Sequence, residues 1–296
     1  MGEAAALATA LLWACTSLFF TASAERIGAA RLNLVRLTFA LAFIAAGHQL
    51  LFGTLHFAAS PTQLIYLAVS GAIGLVVGDL FLFRALILIG PRATLLIMTL
   101  WPAIAATIAW LWLGERLGAL SLAGMAVTLG GIAWSIAGRA AGPDRRPLSI
   151  AGIGCGLAGA LGQATALALA KRGLDGMDSE LSGSFVRMAA AVALVWNVSL
   201  VQGAMGRLDL LGALRNGRAM VLAAAGALTG PTIGVWLSLV AATHGSLGVV
   251  ATLMSLSTVF VIPLSAWFRR ERPTIHEWLG AVVAVAGVAL LLSPTL

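Results

Sequence analysis

Apolar residues run in blocks of about 20 along this chain, and short polar stretches interrupt the blocks at near-regular intervals. A helix needs about 20 apolar residues to cross a bilayer. On that yardstick ten spans are predicted, at roughly 4–23, 32–52, 62–84, 93–113, 120–137, 149–170, 181–202, 218–241, 247–268 and 276–293. The interruptions are charged or carry Gly and Pro, as in AERIGAAR, LGERLG, RAAGPDRRPLS and RRERPT, and none is long enough for a separate domain. The first block ends near Ala22-Ser23-Ala24, which resembles a signal-peptide cleavage site. It carries Glu3 and no Lys or Arg ahead of its apolar run, and it has an echo in span 6, so it reads as a retained span.

The pattern repeats. Shifting the chain by 156 positions lays Glu115-Arg116 on Glu271-Arg272, Gly124 on Gly280, Val127 on Val283 and Gly131 on Gly287. Upstream, Gly74 falls on Gly230, Gly78 on Gly234 and Ala85 on Ala241. The reading is a duplicated five-helix unit: residues 1–138, a linker at 139–148, and residues 149–296. Five is odd, so the two units enter the membrane in opposite senses. The expected fold is an all-α polytopic membrane protein, ten transmembrane helices as two inverted five-helix repeats. Inverted repeats of this kind are built for alternating access, with the site near the midplane.

Composition agrees with the pattern and removes one function class. The chain is 60% hydrophobic and 10% charged, too few polar residues to cover a soluble domain of 296 residues. Its net charge of +7 invites a nucleic-acid reading. The charges, however, lie in short loops and form no basic face, so no nucleic-acid partner is expected. They report topology instead. Twelve basic residues (Arg26, Arg31, Arg92, Arg139, Arg145, Arg146, Arg207, Arg215, Arg218, Arg269, Arg270 and Arg272) belong to the odd-numbered connections, against three (Arg116, Lys171, Arg172) on the other side. The bias places the first set in the cytoplasm and both termini outside it. Cys15 and Cys155 lie within apolar runs and read as small buried hydrophobes.

Several of these features are familiar together. The stretch ALLWACTSLFF in helix 1 and the run from Phe83 to Trp134 carry Ala85-Leu86, Pro102, Gly114-Glu115, Gly124 and Gly130-Gly131. With ten spans in two halves, they resemble the EamA type of the drug/metabolite transporter superfamily. The second half keeps Ala241, Glu271, Gly280 and Gly287 but has Thr258 in place of the family Pro and Arg270 in place of Gly114. The resemblance covers nearly the whole chain and marks the fold rather than the substrate. It implies that helices 1–4 and 6–9 enclose a central cavity, that helices 5 and 10 are peripheral, and that the protein is a multi-pass transporter of a bacterial inner membrane. Relatives export amino acids, other metabolites and drugs, or move nucleotide sugars.

Candidate functional residues are few. Asp79 is the one acidic residue in the middle of a predicted span, and a carboxylate there must face a cavity or a partner. Its repeat mate is Val235, so the duplicated fold does not itself require it. Two readings stand: a pair with an arginine on a neighbouring helix such as Arg36, or a proton-coupling or substrate-amine site. Arg36 and Arg187, at matching positions in LNLVRLTF and SGSFVRMA, read as anchors that snorkel to the headgroups. His48, His56 and His276 read as interfacial, and His244 as no metal ligand, because no second ligand is near. Ser70, Gly74, Gly78 and Gly226, Gly230, Gly234 form small-residue stripes that read first as packing faces. The deep tryptophans Trp13, Trp101 and Trp236 read either as core or as walls of a cavity. The substrate site is expected from Ser17, Asp79, Phe83, Trp101, Gln163 and Trp236, with Phe83 one turn from Asp79.

These residues point to a secondary transporter that exports small amphipathic metabolites, amino acids foremost and aromatic ones among them. The expected partners are the solute, the bilayer and protons as coupling ion; the chain is expected to act as a monomer without cofactor or metal. No GxxxxGK[ST] loop offers direct ATP drive, and no HExxH or GxSxG marks a membrane enzyme. A carrier of drugs or nucleotide-type metabolites is the alternative within the superfamily. A passive channel fits less well with inverted repeats and one asymmetric carboxylate.

Overall fold

The computed structural model describes residues 1–55, 57–138, 149–201, 210–268 and 273–292. The linker 139–148, His56, Glu271 and seven of the basic residues counted above (Arg139, Arg145, Arg146, Arg207, Arg269, Arg270, Arg272) lie outside them. Ten apolar helices follow one another: α1 (Gly2–Ile27), α2 (Ala29–Phe52), α3 (Pro61–Gly90), α4 (Ala93–Leu113), α5 (Ala119–Gly138), α6 (Ile150–Leu174), α7 (Glu180–Val201), α8 (Gly217–His244), α9 (Leu247–Trp267) and α10 (Ile275–Leu291). Nine are long and apolar enough to cross a membrane, and α10 is a shorter apolar helix. Among the described residues there is no strand. Helices 3, 6 and 8 run further than the apolar pattern alone suggests. In α6 the last turn takes in Lys171 and Arg172, cations that suit the negative end of a helix dipole.

The 156-residue offset governs the backbone in detail. α3 widens into a π-helix at Ala72–Gly78, and α8 does so at Leu228–Gly234, the same seven positions of the repeat. In α8 the widened turn contains Pro231, which has no N–H to donate to the turn before it. Ser60 caps α3 and its mate Asn216 caps α8. α4 breaks at Thr99–Leu100, ahead of Pro102, and α9 breaks at Leu256 although Thr258 stands where the first half has proline. The break is therefore a property of the fold, with proline as one means of making it.

The helices close into a ring in which α1 packs on α8, α8 on α2, α2 on α7, α7 on α3, α3 on α6, α6 on α4, α4 on α9, and α9 on α1. Exchanging the two halves maps the set of contacts onto itself, with α2–α7 and α4–α9 each mapping onto themselves. α5 and α10 lie outside the ring and pack mainly on each other, as the resemblance implies. Their contact shows the symmetry most directly. A Cβ on Gly131 would lie 2.4 Å from Ala284 N and 2.7 Å from Gly280 O, and one on Gly280 would lie 2.6 Å from Gly131 O. Gly124 meets Gly287 and Leu291, while Gly287 meets Thr128. Each residue contacts the repeat mate of its own partner's position, and the helices run antiparallel. This is an isologous contact about a pseudo-two-fold axis, the relation that inverted repeats require.

The α5–α10 contact has no room for a side chain at its glycines, since the obstructing atoms are backbone. Gly131→Leu should cost about 3 kcal/mol, the upper end of overpacking, whereas Gly130→Leu, where a Cβ meets nothing within 4 Å, should be near neutral. Thermal unfolding of the two variants in one detergent checks this.

Candidate functional site

The ring encloses a cavity of about 390 Å³ lined by both halves. Its walls come from the middle of the bundle and from the half nearer the odd-numbered connections: Trp13 to Phe20 on α1, Arg36 and Leu37 on α2, Leu75 to Leu82 on α3, and Leu95 to Trp101 on α4. The second half adds Gln163 on α6, Gly230, Pro231 and Val235 on α8, and Met254 to Thr258 on α9, and Ile132 of the peripheral α5 also reaches the wall. The volume falls within the range of small-molecule sites, and the lining is apolar with a few polar tips.

The π-helical turns shape two of its walls. In α3 a Cβ on Gly74 would sit 2.7 Å from Ala166 Cβ on α6; in α8 one on Gly230 would sit 2.5 Å from Thr16 Cγ2 on α1. Gly234 lies as closely under Trp13, whose Nε1 is 2.8 Å from the Cβ position. The small-residue stripes are thus packing faces, α3 against α6 and α8 against α1. Thr16 and Thr229 Oγ1 atoms share a 2.8 Å hydrogen bond across the second contact.

Polar chemistry concentrates on Asp79. Arg36 Nη2 donates to Asp79 Oδ2 at 2.5 Å, Gln163 Nε2 donates to Asp79 Oδ1 at 3.2 Å, and both members of the ion pair are only 14% exposed. Asn33 Oδ1 accepts from Arg36 Nε at 2.9 Å. The guanidinium also lies over the rings of Phe20 and Phe83, at 5.6 and 5.9 Å from their centroids. Arg36 therefore does not snorkel. It reaches inward because a carboxylate in the apolar interior holds it more strongly than the headgroups would. The pairing reading of Asp79 holds, and the pair lies in the cavity wall.

The other candidates divide. Ser17, Asp79, Trp101 and Gln163 line the cavity. Ser17 spends its hydroxyl proton on Ala14 O at 2.7 Å and offers only an acceptor. Phe83 faces Arg36 rather than the cavity. Trp236 packs into an apolar cluster with Leu34, Leu37 and Met188, and its neighbour Val235 takes the place at the wall. Arg187 is no anchor either: it is 5% exposed. His48 is buried rather than interfacial, bonded to Thr54 O at 2.6 Å and Ser182 Oγ at 2.9 Å. Both cysteines are half-buried and free, and no group of metal-ligating side chains occurs among the described residues.

The bundle is tied shut at the end away from the cavity. Gly114 takes φ 71°, turning the chain so that Glu115 points across to the second half. There Glu115 Oε1 stands 2.7 Å from Lys171 Nζ, and Glu115 Oε2 accepts from Leu247 N at 2.7 Å. Lys171 donates to Gly245 O at 2.6 Å, and Glu180 accepts from Thr243 Oγ1 at 3.0 Å with His244 Nδ1 3.7 Å away. Sequence reasoning had Glu115 as a hairpin marker and Lys171 as a loop cation. Their meeting depends on the long-range packing of halves, which no local pattern reports.

Removing one member of the Arg36–Asp79 pair leaves the other charge without its partner in the bundle's interior. Asp79→Leu and Arg36→Met should each cost about 3 kcal/mol, while the two together should recover most of the loss. A double-mutant cycle on thermal unfolding measures the coupling.

The model of the EamA-like transporter family matches residues 1–137 and again 150–293. A solved structure described as "Crystal structure of protein" superposes with a TM-score of 0.80 at 21% identity, covering 98% of this chain and 96% of its own. At that identity it bears on the fold alone. No curated protein matches the chain. With both halves matched by one family model, the chain belongs to the EamA-like transporter family.

Proposed function

We propose that this transporter exports small amphipathic metabolites, amino acids foremost and aromatic ones among them, by alternating access in a bacterial inner membrane. One observation carries the reading: the cavity lies toward one end of the bundle, while the Glu115–Lys171 contact joins the two halves at the other. That is the asymmetry of a single state of an alternating-access cycle. The solute's apolar part would lie against Trp13 and Trp101, with Asp79, Gln163 and Ser17 near its polar end. Because Asp79 has no acidic mate in the second half, protonation or capture of an ammonium group there can loosen Arg36 in one half only. Protons are the coupling ion that this asymmetry favours, and a monomer suffices, since both halves of the site are in one chain.

Flux into proteoliposomes tests this. L-Phenylalanine and other amino acids should be carried faster down an imposed pH gradient than without one, and Asp79→Asn should lower the gradient-driven rate at least tenfold. A bismaleimide bridge between cysteines introduced at Glu115 and Lys171 should stop flux altogether. Gradient-independent flux of the wild type would remove the proton, and no flux of any amino acid would remove the substrate class.

The orientation that goes with this reading puts the odd-numbered connections in the cytoplasm and both termini outside. A reporter active only in the cytoplasm, fused after Leu296, should be silent; activity would reverse the assignment.

A further inference from the structure

Arg187 is the one cation among the described membrane-spanning residues whose guanidinium is both buried and unpartnered. Its Nε and Nη1 have no hydrogen-bond partner, and no described carboxylate pairs with it. One helical turn earlier on the same face of α7, the buried Ser184 Oγ is also without a partner. Neighbouring backbone makes room for the arginine. A Cβ on Gly71 would fall 2.1 Å from Arg187 O, and one on Gly74 would fall 3.7 Å from Arg187 Nη2. Asp79 is not its counterion here: the carboxylate pairs with Arg36 and accepts from Gln163, and no ion pair joins it to Arg187.

Leaving a guanidinium bare in an apolar interior is unfavourable, and replacing such a group by an apolar side chain of similar size is commonly stabilising. A fold that keeps it holds it for something that arrives. The cavity is one place from which an anion can arrive. Gln163 lines that cavity, and its amide bridges Asp79 Oδ1 and Gly74 O, the latter at 3.3 Å. Gly74 is also the residue against which the Arg187 guanidinium lies. Gln163, which lines the cavity, and the Arg187 guanidinium thus both neighbour Gly74.

We infer that Arg187, with Ser184, forms a carboxylate-binding subsite behind Gln163, which a solute's carboxylate reaches by displacing the Gln163–Gly74 hydrogen bond. The subsite rests on the proposed amino-acid reading for its physiological ligand. It gives that reading a division of labour: an ammonium near Asp79 and a carboxylate at Arg187, on opposite sides of one amide. An arginine suits the second role because its planar guanidinium is always charged and matches a carboxylate's geometry. Solutes with both groups would then be selected over amines of the same shape.

The test uses the full chain in detergent and three probes of equal apolar size: L-phenylalanine, 3-phenylpropionate, which lacks the amine, and phenethylamine, which lacks the carboxylate. Thermal unfolding is followed against the concentration of each. In the wild type both carboxylates should raise the unfolding temperature. In Arg187→Met the concentration needed should rise at least tenfold for the two carboxylates and stay unchanged for phenethylamine, while the protein without ligand should be as stable or more so. Arg187→Lys, which keeps the charge, should retain a weakened response. The subsite is overturned if neither carboxylate stabilises the wild type, or if Arg187→Met responds as the wild type does. Flux separates the two ideas. Carboxylate stabilisation that needs Arg187, without amino-acid flux, keeps the subsite and removes the amino-acid reading; amino-acid flux with an affinity unchanged in Arg187→Met does the reverse.

Discussion

Lipid is as apolar as leucine, so helices in a bilayer gain little from hiding apolar side chains in one another. What holds them is the closeness of contact, and closeness demands small residues. This constraint sets the architecture of the chain. At Gly124, Gly131, Gly280 and Gly287 the backbones of α5 and α10 meet directly, and at Gly74 and Gly230 the widened helices α3 and α8 press on α6 and α1. Large side chains fill the gaps between these contacts, as Leu37, Met188 and Leu253 do, and cover the outside, where Leu50, Ile65, Ile87, Leu111 and Val221 face outward. The apolar composition that identifies the protein as membrane-embedded therefore says little about which residues join its helices.

Symmetric contacts of this kind make a symmetric shell, and the shell leaves its polar chemistry to be placed independently. Both halves have the π-helical turn, the broken fourth helix and the capped third helix at the same repeat positions. Only the first half puts a carboxylate after the π-helical turn, at Asp79, where the second has Val235. Arg36 and Arg187 stand at matching positions of α2 and α7, yet one is paired and the other bare. The duplication supplies two equivalent arms, and on the proposed reading single substitutions on them would supply direction. A cycle that must tell inside from outside needs such a difference, because two identical inverted halves would make its two end states equal in energy.

The fold was legible in the sequence because its signals are local or periodic. Span length, a fixed offset between Gly positions and an odd helix count per half each report a property of the backbone that the structure repeats. The site was legible only in part, for a physical reason. A residue's type and depth can be read from the chain, and those brought Asp79, Gln163, Ser17 and Trp101 to the cavity wall. Its rotation about the helix axis cannot be read where neighbouring residues are both apolar, as at Val235 and Trp236 on α8, so those two could not be told apart. Arg36 and Arg187 misled in the same way. Both lie near helix ends, where snorkelling is the default, and only the neighbouring helices decide that each turns inward.

Two of the ion pairs among the described residues, Lys171–Glu115 and Arg36–Asp79, differ in what they allow. Lys171–Glu115 sits at an end of the bundle with its partners 22% and 17% exposed, and its contacts are reinforced by backbone groups at Gly245 and Leu247. A few such interactions at about 1 kcal/mol each sum to a few kcal/mol. That is the scale on which differential binding of a solute can shift a two-state equilibrium. This end can thus be strong enough to keep one state dominant and weak enough for a bound solute to release it. The Arg36–Asp79 pair lies deeper, and separating it without replacement would strand two charges in the interior. It can exchange partners only when something in the cavity takes the place of one member, a proton or an ammonium for Asp79. On the proposed alternating-access reading, the outer contact would limit how often the protein opens, and the inner one would make opening depend on what the cavity holds.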